Sequence, residues 1–174
     1  MKTVICLLVL ALVAIPDVAQ TPANPVTAAA RSALQRQENN VVQAAQEMPA
    51  DKYGYQPTPA QMTFGQLMAH VAQSNHFLCS KIAGGATAAP QVSPSDPKGK
   101  LTGALKASFD FCSQSLAKIN DSTLGEEILL FGGRKGTRAA ALFALTSDWA
   151  DHYATAAMYL RLNGLLPPTA KARE

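Results

Sequence analysis

Asp148 and His152 are the two residues whose types and spacing most invite chemistry. In a helix, side chains four apart lie within about 40° of each other around the axis, so these two converge. Leu142, Leu145, Trp149, Ala156 and Tyr159 fall on the same side, which makes it the core-facing stripe. A carboxylate placed there needs a donor or a cation, because burying it alone is costly. Asp151 points away from the stripe and reads as solvated. A third candidate, His70, flanks a separate stripe of Phe64, Leu67, Val71, Leu78 and Ile82. His76 is nearly opposite Leu67 and is expected to face water. Two imidazoles and a carboxylate form a facial ligand set for zinc, nickel or iron(II), with a position left open for water or substrate. Spacing alone also fits a plainer account, in which Asp148 is hydrogen-bonded in the core and His70 is an edge histidine.

Four helical segments must bring these residues together. The first runs from Pro25 to about Met48, with Asn24 as a candidate cap and Pro25 at the first helical position. The second runs from Phe64 to about Ala83, where Thr63 and Gln66 make a capping-box pattern and Gly84-Gly85 stops it. A connector with three prolines follows over 86–97, and the third helix covers about Lys98 to Ile119. The last helix spans Thr137 to Gly164, after an irregular or briefly extended stretch over 121–136. No convincing strand pair and no internal repeat is visible. The fold class expected is all-α, a four-helix bundle.

The chain opens with one lysine and an uninterrupted apolar run, MKTVICLLVLALVAIP, too short to span a bilayer comfortably. This is the pattern of a secretory signal peptide, assigned to residues 1–23, with an uncleaved anchor as the other reading. The bundle then occupies 24–168, one domain's worth of chain, and 169–174 is expected to be a disordered tail. Periplasmic or secreted localisation follows, with no stable membrane contact after signal removal. The net charge of +3 is scattered, and no basic run interleaved with aromatics suggests nucleic acid. The partner expected is a small-molecule substrate of unknown identity, and a homodimer is possible.

Removing Cys6 with the signal leaves Cys79 and Cys112, an even pair that an exported protein usually bridges. Two reduced, buried thiols are the alternative. Cys79 lies 16 residues past Thr63 and Cys112 lies 14 past Lys98. Equal depth from the two helix starts means that a bridge requires the second and third helices to run parallel. The connector must then return about 30 Å, the length of a 20-residue helix. Residues 84–97 can extend about 45 Å. The topology expected is up-down-down-up.

The chain resembles the DinB/YfiT-like superfamily. The resemblance is carried by TFGQLMAHVAQSNHFLCSKIAG, with His70 at the family's histidine on the second helix, and by DWADHYATAAMYLRLNGLLPP near the end. It implies the same bundle topology and a metal triad of His70, Asp148 and His152. Asp148 stands where the family usually has a histidine, and Ala154-Thr155 where Gly-Gln is usual. An aspartate can still ligate, so the first departure alters metal preference more than binding. Tyr159, on the ligand face two turns past His152, is expected to support the ligands from behind. Arg161 reads as a partner for a carboxylate or a helix C-terminus.

Two function classes follow. One is a metal-dependent hydrolase or a thiol transferase, the latter because superfamily relatives use low-molecular-weight thiols. An exported protein meets little such thiol, which favours hydrolysis. The other is a non-catalytic exported bundle that binds metal or a small ligand.

Overall fold

The computed structural model describes residues 23–85 and 88–171. The signal assigned to 1–23 therefore lies outside the described residues except for its last position, as do residues 172–174 of the expected tail. Four helices dominate: α1 (Pro25–Glu47), α2 (Phe64–Ala83), α3 (Lys98–Ala117) and α4 (Arg138–Leu162). Each lies within a few residues of the span read from periodicity. None of the described helices is long and apolar enough to cross a membrane.

Pairs of touching residues give the directions. Cys79 bonds to Cys112 with Cα atoms 5.2 Å apart. The Asn75 amide donates to Ser108 Oγ at 2.9 Å, and Gly65 backs onto Leu101. Residue numbers rise together in all three pairs, so α2 and α3 run parallel. His70 meets His152, and Asn75 meets Trp149, so α2 and α4 are antiparallel. Lys106 reaches Glu38 and Lys98 reaches Gln46, so α1 and α3 are antiparallel too. The bundle is up-down-down-up, as the cysteine depths require. Phe64, Met68, Leu105, Phe109, Leu145, Trp149 and Tyr159 fill its core.

Some helix ends are capped locally and others by distant segments. The capping box at α2 is present, with Gln66 N–H donating to Thr63 Oγ1 at 3.1 Å and Thr63 N–H to Gln66 Oε1 at 2.6 Å. Gly84, at φ 75°, ends that helix in the left-handed conformation that favours glycine. The expected cap at Asn24 is corrected. Its side chain makes no cap bond and instead accepts from Asp121 N–H at 3.0 Å. Asp121 does the capping, accepting from Val26 N–H at 2.9 Å and Thr27 N–H at 2.8 Å. In return Arg31 donates to the carbonyls of Leu116, in the last turn of α3, and of Ile119 just past it. At the other end Lys98 donates to the carbonyls of Gln46 and Met48.

Two expectations fail here. The 121–136 stretch contains a strand pair, β1 (Glu127–Leu129) with β2 (Lys135–Thr137), antiparallel. Three residues per strand are too few for a period of two to show. The tail expected from 169 begins as ordered chain. Pro168–Ala170 form a 3-10 turn, Tyr153 and Thr169 hydroxyls meet at 2.8 Å, and Lys171 pairs with Glu47 at 2.7 Å.

Candidate metal centre

α2 and α4 bring His70, Asp148 and His152 to one point. One ligand atom from each lies within 4.8 Å of the other two, and all three residues are half-buried. Around a shared ion with bonds of about 2.1 Å, ligand atoms sit about 3.4 Å apart. The trio is therefore wider than that by little more than an ångström at most. The His70 and His152 ring centroids are 4.8 Å apart.

The helix that carries Asp148 and His152 also orients them. His152 Nδ1 lies 2.6 Å from the Asp148 carbonyl oxygen and 3.4 Å from Asp148 Oδ1. A carbonyl only accepts, so Nδ1 carries the proton and Nε2 keeps its lone pair. Asp148 Oδ2 is buried and has no hydrogen-bond donor. Such an orphaned carboxylate oxygen, beside two imidazoles with lone pairs to give, fits a divalent cation. Burial pushes the Asp148 carboxyl above the usual carboxylate range, against the opposing effects of His152, His70 and the Ser74 hydroxyl. Burial, and then the neighbouring His152, hold His70 below the usual imidazole range. Both shifts report a pocket that disfavours uncompensated charge of either sign.

His70 also lines an open cleft of about 400 Å³, together with Met62, Gln66, Ala69, Gln73 and Pro94. Apart from His70, no lining side chain there carries an ionisable group. The cleft leaves His70 open to the outside.

Other expected residues fall differently. Tyr159 is buried, but its hydroxyl donates to the Met62 carbonyl at 2.9 Å and its ring packs on Tyr55 and Phe64. It anchors the segment before α2 and makes no hydrogen bond to the three residues. His76 does not simply face water. It is half-buried and stacks on Phe111 of α3, with centroids 4.7 Å apart. Asp151 is exposed, as expected.

Two polar residues beside the cluster went unnoticed in the sequence. Ser74 is one turn past His70 and acts on Asp148. Asn75 is wholly buried and accepts from Trp149 Nε1 at 2.6 Å. An asparagine interrupting the Phe64-to-Ile82 stripe was the available signal.

Similarity to known proteins agrees with this fold. A DinB-like protein from Bacillus subtilis has a TM-score of 0.67 at 24% identity, over 84% of this chain and 99% of that one. A DinB-like protein from Bacillus cereus has a TM-score of 0.65 at 14% identity, over 80% and 93%. A mutant of the mycothiol-dependent maleylpyruvate isomerase has a TM-score of 0.61 at 13% identity, over 74% of this chain and 59% of that one. At these identities the likeness is one of fold. No curated protein matches the chain. The family model of the DinB superfamily matches residues 33–156, and the chain belongs to that superfamily.

Proposed function

We propose that this chain is an exported, metal-dependent hydrolase of small molecules that holds zinc, nickel or iron(II) through His70, Asp148 and His152. The observation that carries the reading is Asp148 Oδ2, buried without a donor beside two imidazoles. A divalent ion bound there supplies Lewis-acid chemistry to water or a carbonyl group. His152 contributes Nε2, since its Nδ1–H is spent on the Asp148 carbonyl. Asp148 contributes the charge that makes two neutral imidazoles selective for a cation. His70 lines the cleft, so a molecule held there lies against one of the three ligand residues. The uncharged lining suits a substrate that is neutral where it meets Met62, Gln66 and Gln73.

Export is part of the same proposal. The apolar run before Asp17 supports it, and so does the Cys79–Cys112 bridge, since disulfides persist in oxidising compartments. N-terminal sequencing from the host envelope should find a start between about Gln20 and Pro25. A chain beginning at Met1 in the cytoplasm would contradict export.

Activity is tested by assaying metal-loaded protein on a panel of small esters, amides and lactones, with and without chelator. Chelator-sensitive hydrolysis that vanishes in His152→Ala supports the enzyme. Bound metal with no turnover across hydrolytic and thiol-transfer substrates would leave a binding bundle instead.

A further inference from the structure

Asn75 of α2 joins α3 and α4 through side-chain hydrogen bonds of a single residue. It has no exposed surface. Its Oδ1 accepts from Trp149 Nε1 on α4 at 2.6 Å, and its Nδ2 donates to Ser108 Oγ on α3 at 2.9 Å. Ser108 in turn donates to the Leu105 carbonyl at 2.6 Å. The backbone carbonyl of Asn75 lies 3.4 Å from Cys112 Sγ, beside the disulfide. The whole network is buried, so each bond is strong and each unmade bond is costly.

Trp149 is the neighbour of Asp148 in sequence and three residues before His152. At about 100° per residue, Asp148 and His152 lie on the same side of Trp149, roughly 100° and 60° around the axis. Fixing the azimuth of Trp149 therefore fixes both. The buried face of α4 sets Leu142, Leu145, Trp149, Tyr159 and Leu160 beside the small Ala141, Ala156 and Ala157. Apolar contacts are non-directional, so they choose the face that turns inward without fixing its rotation to a fraction of an ångström. A rotation of about 20° would carry an atom 6 Å from the helix axis by about 2 Å. Metal sites tolerate deviations of only about 0.2 Å in ligand distance. A directional bond to the indole N–H supplies that finer constraint.

We propose that Asn75 is the positioning residue of the metal site, setting the rotation of α4 against α2 so that Asp148 and His152 face His70. This rests on the metal reading above. Asn75 touches no substrate or ion, and acts through Trp149.

The test uses the full chain, stripped of metal and titrated with cobalt(II), read by visible absorption and by binding affinity. Asn75→Leu and Trp149→Phe should each weaken cobalt binding tenfold or more and change the shape of its absorption bands. The double variant replaces both partners of a buried bond with apolar groups, a change that is often close to neutral for stability. It should melt higher than either single variant, yet keep the weak binding and the altered spectrum. Leu116→Ala, a core truncation on α3 remote from the site, should lower the melting temperature and leave the spectrum unchanged. The inference is overturned if the double variant binds cobalt as the parent does. It is also overturned if Leu116→Ala shows the same spectral change. A parent protein that takes up no cobalt would remove the metal reading itself, and the inference with it. A parent that binds, with variants that bind alike, would remove the inference alone.

Discussion

The Nδ1 of His152 lies 2.6 Å from the carbonyl oxygen of Asp148, so the backbone of one candidate ligand holds the ring of the next. Metal-binding histidines commonly give their second N–H to a carbonyl or carboxylate, which fixes the tautomer and the ring plane. Here the arrangement arises from spacing alone, because residues four apart on a helix are vertical neighbours. Replacing the usual histidine by Asp148 puts a carboxylate 3.4 Å from the same ring nitrogen. One helical turn thus offers a carboxylate, an imidazole and the bond that orients the imidazole.

The first prediction concerns the cost of that carboxylate without metal. Its raised folded pKa means that folding favours the neutral form. The ionised carboxyl therefore subtracts stability once pH rises above the unfolded value. Asp148→Asn should stabilise the metal-free protein by about 1 kcal/mol, the scale of relieving one buried unpaired group. That corresponds to about 2–4 °C in Tm for a domain of this size. Calorimetry on chelator-treated samples checks it. The same variant should lose the extra stability that added metal gives the parent, and an unchanged or lower metal-free Tm would count against an orphaned Asp148.

A second prediction concerns the disulfide. Cys79 and Cys112 are 33 residues apart, and closing a loop of that size is worth about 3–4 kcal/mol. Reduction, or the pair Cys79→Ser and Cys112→Ser, should lower denaturant stability by that amount. Intact-mass measurement after alkylation should show both thiols protected until reductant is added. Two free thiols in an oxidising preparation would contradict the bridge.

The third prediction is a pH dependence centred on Asp121. Burial alone would raise its carboxyl. The N–H groups of Thr27 and Val26, the Thr27 hydroxyl and the Arg31 charge together outweigh that and hold it below the usual range. A depressed carboxylate contributes stability that is present above the unfolded pKa and is lost as pH falls through the folded one. Urea titrations should therefore show Asp121→Ala less stable than the parent at neutral pH. The gap should close only in acid, below the ordinary carboxylate value of 3.8. A gap that persists unchanged in strong acid would show that the cap does not work through the charge.

What the sequence made legible follows the range of each interaction. The four helices were readable because their signals are local: a capping box at Thr63, glycines after Ala83, stripes through Leu67 and Phe109. The parallel α2–α3 pair was readable from two cysteines at equal depth, a rare long-range signal written in single residues. Capping of α1 by Asp121 was not, since the partners are more than ninety positions apart and Asn24 is itself a good cap residue. The hairpin β1–β2 hid in strands of three residues. At the site, the i, i+4 pair on α4 and His70 were found by face and by resemblance. Tyr159 was placed on the correct face, but facing inward did not say which of its neighbours its hydroxyl would reach. His76 was misread because the helical wheel gives direction on α2 and says nothing of how far α3 wraps around it.

The central claim is that His70, Asp148 and His152 hold one divalent ion. Elemental analysis of protein purified without chelator or affinity tag tests it most directly. About one equivalent of zinc, nickel or iron is expected in the parent and in His76→Ala, and far less in His70→Ala and His152→Ala. Equal metal content in all four proteins, or none in the parent after exposure to these ions, would contradict it.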